Sequence, residues 1–124
     1  MAAPNIVNVA TITGKTTYAA LTTTLTTVLL ANSASSGKVF KINSIMVSNV
    51  DGTSAADVSI DINTAAAGSG TSYALANTVS VPADATLSLI DKTNSFYLEE
   101  DKSIIGGASA NSDLEIVISY EEIS

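Results

Sequence analysis

Residues 38–62 read KVFKINSIMVSNVDGTSAADVSIDI, and this stretch decides the fold. Val58, Ile60 and Ile62 alternate with Asp57, Ser59, Asp61 and Asn63, the two-residue period of a strand with one dry face and one wet face. Upstream, the run of Val39, Phe40, Ile42, Ile45, Met46 and Val47 is apolar on both faces over part of its length, which suits a central strand covered by a second layer. Asp51-Gly52, between the two runs, can take the positive φ angles of a tight turn, so the pair is expected to form an antiparallel hairpin. A dry sheet face must be covered, and a two-sheet sandwich follows.

On the N-terminal side, residues 5–12 (NIVNVATI) read as a first strand that stops at Gly14. Residues 1–8 read equally as an N-terminal arm, uncharged and carrying Ile6 and Val7. Between Thr16 and Thr27, seven positions are Thr, which lowers helix propensity despite the near-helical spacing of Tyr18, Leu21, Leu25 and Leu29. Two short strands, 17–22 and 26–30, are expected there, with a helix as the alternative. On the C-terminal side, residues 65–71 (AAAGSGT) read as a flexible loop. The strand 72–81 follows, with Tyr73, Leu75, Val79 and Val81 on one face, and Pro82-Ala83-Asp84 turns the chain. Strands are then expected at 86–90, 96–98 and 103–110, the last containing Gly106-Gly107, a pair that marks a bulge or a close backbone contact. Leu114, Ile116, Ile118 and Tyr120 alternate with Asp113, Glu115, Ser119 and Glu121 in the final strand, and Val117 breaks that wet face. About eight strands separated by Gly, Pro, Asn and Asp predict an all-β chain. It should be a single antiparallel β-sandwich, Greek-key or jelly-roll-like, with residues 1–124 as one domain. The expected core is Phe40, Ile42, Val58, Ile60, Ile62, Leu75, Val79, Leu87, Leu89, Leu114, Ile116 and Ile118.

Composition removes most chemistry. The 124 residues include no Cys and no His, so disulfides, thiolate nucleophiles and imidazole bases are excluded, together with the commonest zinc ligands. Five Lys and no Arg face twelve acids, all at or after Asp51, so residues 1–50 sum to +3 and residues 51–124 to −10. A chain this acidic is repelled by phosphate backbones and by anionic bilayers, so neither nucleic acid nor membrane is expected as a partner. Residues 1–8 lack the basic start and apolar core of a secretion signal, which suggests synthesis without export.

The remaining constellations are weak. Glu99, Glu100 and Asp101 are oxygen ligands in sequence but lack the spacing and the Gly of a calcium loop, so a solvated turn is expected. Asp57 and Asp61, four residues apart on a strand, would stand about 13 Å apart at ~3.3 Å per residue. That exceeds the ~5 to 9.5 Å used by paired-carboxylate glycosidases. Gly14-Lys15-Thr16 ends like a phosphate loop, but Val9 stands where the first Gly is needed. No enzymatic activity, cofactor or metal is therefore expected. Lys15, Lys38 and Lys41 are the only charges before Asp51 and read either as ordinary surface lysines that keep sheet edges from pairing or as an electrostatic seam for another copy or a larger partner. With Asn5, Ile6 and Val7 of the arm, they make up the candidate interface.

The segments PNIVNV, SSGKVFKINSI, VSNVDGTSAADVSIDI, VSVPADATL, FYLEEDKSI and SDLEIVISYEEIS cover most of the chain. In them the sequence resembles a family of small virion structural proteins of tailed bacteriophages, especially those infecting marine cyanobacteria. The resemblance implies a β-sandwich subunit present in many copies on the virion, made in the host cytoplasm, with no catalytic residues. It points first to a decoration or cement subunit that forms homo-oligomers and contacts other virion proteins of the capsid or tail. The alternative is a receptor- or glycan-binding module of a tail, neck or fibre. That role calls for aromatics on loops, whereas Tyr18, Tyr73, Tyr97 and Tyr120 fall in or beside expected strands, which suggests packing.

Overall fold

The computed structural model describes Pro4 and residues 7–124. Among them the chain forms nine strands and no helix: β1 (Ile12–Ala20), β2 (Val28–Asn32), β3 (Val39–Asn49), β4 (Ala56–Asn63), β5 (Ser72–Val81), β6 (Thr86–Ile90), β7 (Phe96–Leu98), β8 (Lys102–Ala108) and β9 (Leu114–Ile123). One sheet, A, runs β1-β9-β3-β6 with β7 also bonded to β3, and the other, B, runs β2-β8-β4-β5. Every pairing is antiparallel. Laid flat, the chain is one long hairpin with its tip between β4 and β5, in which β3 meets β6 and β7, β2 meets β8, and β1 meets β9. Rolling that ribbon sends successive pairs to opposite sheets and brings β9 beside β3 and β8 beside β4, which is the winding of a jelly roll.

Residues 38–62 are therefore not a hairpin. β3 and β4 lie in different sheets, because both dry faces point into the sandwich and the strands stack face to face. Gly52 does not take a positive φ. The arch between the strands is held instead by Asn49, 3% exposed, whose Nδ2 donates to Ser54 O and Val81 O at 2.9 Å while its Oδ1 accepts from Asp51 N. Buried asparagines end β2 and β4 in the same way. Asn32 Nδ2 donates to Lys38 O and Leu98 O, and Asn63 Nδ2 donates to Gly70 O and Ser72 Oγ. Each such amide fills acceptors that would otherwise be stranded away from water.

The core lies between the sheets. Phe40, Ile42, Val58, Ile60, Leu114, Ile116 and Ile118 are buried as expected, and each contributes roughly 1.5–3 kcal/mol by leaving water. Ile62, Leu75, Leu87 and Leu89 pack against this cluster while partly exposed. Val79 does not join it. Val79 faces the same way as its partner Val58 but stands 36% exposed on the edge strand, and beyond it the register of β5 on β4 slips between Val58 and Ile60, so that Ala76 is the residue buried opposite Ile60. A register shift between Ile42 and Ser44 likewise explains why β3 looked apolar on both faces. Ile42, Ile45 and Val47 all point inward across it, and Ile45, Val47, Leu21, Leu98 and Ile104 are among the core residues that the pattern did not mark.

The N-terminal third departs most from expectation. Residues 7–10 form a turn and bend, Asn5 and Ile6 lie outside the described residues, and the first strand starts only at Ile12. Gly14 does not stop it, because its φ is ordinary and β1 pairs with β9 without interruption. No helix forms among residues 16–30. The strands there are offset from 17–22 and 26–30, with β1 ending at Ala20 and β2 beginning at Val28. Leu21 enters the core, and residues 22–27 cross the outside of sheet B.

That crossing depends on β8. Ala108 N donates to Thr22 O at 2.8 Å and Gly106 N to Thr27 O at 3.0 Å. A Cβ on Gly107 would stand 2.6 Å from Thr22 O and 2.7 Å from Thr24 O, so only glycine lets the loop lie there. The Gly106-Gly107 pair thus marks a close backbone contact, as its sequence suggested. The loop of residues 65–71, expected to be flexible, lies on the same outer face. Asn63 Oδ1 accepts from Ala65 N and Gly70 N, Ser103 Oγ donates to Ala65 O at 2.7 Å, and Gly68 sits against Val28 and Ile105.

Candidate functional site

Two of the three N-terminal lysines meet on one carboxylate. Lys15 pairs with Tyr120 across the β1–β9 ladder, and Glu122 is two residues further along the same inward face of β9. Lys38 enters just before β3. Its Nζ donates to Glu122 Oε1 at 2.5 Å, and Lys15 Nζ lies 2.9 Å from Oε2. The two ammonium donors hold the Glu122 carboxyl below its usual range, and the carboxylate in turn raises Lys15. The Glu122 side chain is only 15% exposed and the lysines are 45% and 40% exposed, so the triad closes one end of the sandwich at a solvated rim. Lys41 is elsewhere. It lies opposite Glu121 and Tyr97, on the outer face of sheet A, so the three lysines do not form one continuous seam. Val7 is 90% exposed, and Asn5 and Ile6 fall outside the described residues.

The outer face of sheet A carries an apolar row. Tyr18 pairs with Val117, Val117 with Met46, and Met46 with Ser88, so the row crosses four strands. Tyr18 is 78% exposed and Met46 41%. On either side run the polar rows of Thr16, Ser119 and Ser44, and of Glu115, Ser48 and Thr86. Such a face, mostly uncharged, suits contact with another protein surface. The tyrosines correct the sequence reading. Only Tyr120 packs inside, its ring tilted against that of Phe40 with centroids 5.1 Å apart, while Tyr18, Tyr73 and Tyr97 are exposed.

Sheet B offers a shallow hollow of about 300 Å³ between its covering loop and β5, lined by Thr23, Leu25, Asp57, Ser59, Thr78 and Ser109, with Ala108. Its hydroxyls serve the backbone. Ser59 Oγ accepts from Thr78 N at 3.0 Å and Ser109 Oγ accepts from Asp57 N at 2.9 Å. Asp57 has neither a second carboxylate nor a basic partner in the lining, so the hollow lacks a proton-transfer pair. Asp57 and Asp61 both face outward on β4, as their spacing implied. Asp101 accepts a hydrogen bond from Ala66 N, and among the described residues no three acidic side chains gather where a metal ion would fit. No described helix is long and apolar enough to cross a membrane.

No family model matches the chain, and no curated protein or solved structure matches it.

Sequence reasoning missed the buried Asn caps and the Tyr18–Val117–Met46 row. The caps had a faint signal, since VLLAN, IMVSN and SIDIN each end an apolar run in Asn. The row had none, because its members come from strands whose neighbours are set by the winding.

Proposed function

We propose that this chain is a non-enzymatic structural subunit of a tailed-bacteriophage virion, acting as a decoration or cement subunit seated over a capsid lattice. The reading rests on the resemblance of six segments to such proteins and on a jelly-roll winding, an architecture that capsid proteins use repeatedly. The observation that carries it is the bare outer face of sheet A, where Tyr18, Val117 and Met46 form an apolar row among serines and threonines. A surface of that kind gains affinity when many copies dock side by side on a repeating lattice. The test is incorporation into particles. Wild-type chain should appear in purified virions in many copies over the capsid, and Met46→Glu combined with Val117→Glu should stay folded and be lost from them. Virions without the chain, or equal incorporation of the double variant, would overturn the reading.

An exposed tyrosine on β5, Tyr73, and a hydroxyl-lined hollow elsewhere on sheet B favour the second reading, a glycan- or receptor-binding module of a tail or fibre. The exposed tyrosines are dispersed over both sheets, however, and do not build one sugar platform. Localisation of the chain to a fibre or tail tip in imaged particles would decide for this alternative.

A further inference from the structure

The two sheets are bordered by β1, β6 with β7, β2 and β5, and three of these edges are blunted. β2 has five residues and a register break between Val28 and Leu30. β5 slips twice on β4 and holds Thr78 at φ 50°, a left-handed conformation that a β-branched residue rarely takes. β6 has five residues and a register break, and β7 has three. β1 alone is long and regular: nine residues pair with β9 in unbroken register. Breaks, short strands and charges are what normally keep sheet edges from pairing with another chain. The one charge on β1, Lys15, is held by Glu122 rather than guarding the edge.

The hydrogen-bond phase shows what the edge offers. Thr11 and Ser124 exchange both backbone bonds, and Leu21 N donates to Leu114 O. Narrow pairs alternate along an antiparallel ladder, so Thr13, Lys15, Thr17 and Ala19 bond to β9 while Gly14, Thr16, Tyr18 and Ala20 turn their N–H and C=O groups off the edge. Nothing among the described residues of the monomer requires glycine at position 14. Its φ is ordinary, its pairing is regular, and none of the described residues lies within 4 Å of where a Cβ would stand. Glycine in a strand costs stability unless another backbone or side chain approaches it.

We propose that the free edge of β1 binds the β1 of a second copy of this chain, antiparallel, about a two-fold axis through Thr16. This register identifies the occupant. It sets Tyr18 of each copy opposite Gly14 of the other, both on the outer face, so that the exposed ring covers the bare glycine twice, as aromatic residues do for edge glycines. It pairs outward-facing backbone with outward-facing backbone and forms about ten main-chain hydrogen bonds. Lys15 meets Thr17 of the other copy, so no like charges oppose each other along the strand, which contains no acid. The apolar row Met46–Val117–Tyr18 then continues into the second molecule, beside a hollow of about 290 Å³ lined by Tyr18, Ala19, Ala20, Glu115, Ile116 and Val117. The result is a two-fold dimer with one continuous sheet A.

The proposal concerns the isolated chain and stands or falls independently of the virion reading. Sedimentation of the full chain over a concentration series should show a dimer. Thr16→Lys and Thr16→Glu each place like charges opposite each other at the axis and should weaken dimerisation at least tenfold. Mixing the two should restore a dimer of one copy of each, because only a self-paired position 16 brings the opposite charges together. Tyr18→Ser gives a second reading that leaves Thr16 intact and should also shift the series toward monomer. A wild-type chain that stays monomeric overturns the proposal, as does a dimer indifferent to all three substitutions. Loss of dimer on deleting residues 1–8, with no rescue by the mixed charges, would assign the edge to the N-terminal arm of another copy instead.

Discussion

The outer faces of the two sheets are built from similar residues and end up differently. On sheet A, residues such as Tyr18, Met46 and Thr86 stand in solvent. On sheet B, Ser103, Ile105 and Gly107 also point away from the core, yet all are buried, because residues 22–27 and the loop after Asn63 lie across them. The contrast teaches that loops add a third layer over sheet B, while sheet A has no such cover among the described residues. What separates them is backbone access: β8 presents a glycine where a loop must pass, and the middle of sheet A presents side chains.

The largest expected break in that contrast is Gly107→Val. Its Cβ would enter the carbonyls of Thr22 and Thr24, so a loss of about 3–5 kcal/mol is expected in denaturant titration. Ser119→Val, on the bare face of sheet A, should stay within about 0.5 kcal/mol. A cost under about 1 kcal/mol for Gly107→Val would mean that the loop does not lie there.

Next comes a matched pair of truncations. Ile105→Ala, outward-facing but 1% exposed, should cost about 2–5 kcal/mol, comparable with Ile60→Ala in the core, whereas Met46→Ala should cost under about 1 kcal/mol. Equal costs at Ile105 and Met46 would erase the distinction between the faces.

Asn63→Ala tests the anchor of the second covering loop. Losing the amide leaves partly buried backbone groups of Gly70 and Ala65 without their partner, with an expected cost of about 1–2 kcal/mol and faster proteolysis within residues 64–71.

The smallest effect concerns the solvated rim, where both sheets end. Glu122→Gln should cost about 1 kcal/mol at neutral pH, since the lysines are well exposed and solvent screens the pair. The folded-state pKa of Glu122 is depressed, so its stabilisation is complete above the unfolded value, about 4.3, and is lost as pH falls through the lower folded value. The gap between wild type and Glu122→Gln, measured by thermal melts across pH, should therefore close on the acid side. A gap that widens toward acid would have the wrong sign for this triad.

The sequence by itself determined the class of fold and much of its interior. Alternation in Val58–Ile60–Ile62 and Leu114–Ile116–Ile118 can be satisfied only by strands with one dry face, and two such faces must cover each other. Gly106-Gly107 announced a close approach because glycine in a strand is costly without one. Only the tertiary structure decided which strands are neighbours. The two arms around Asp51-Gly52 have the same local signature whether they pair edge to edge or arch between sheets, since both arrangements bury the same side chains. Bulges were equally hidden: one slipped residue in β3 or β5 exchanges inward for outward positions beyond it, as where Ala76 rather than Asn77 comes to lie opposite Ile60, at almost no local cost. The Lys15–Glu122–Lys38 triad and the row from Tyr18 to Met46 were invisible for the same reason. Their members are distant in sequence, and nothing local to any one of them encodes the winding that places β1, β9 and β3 side by side.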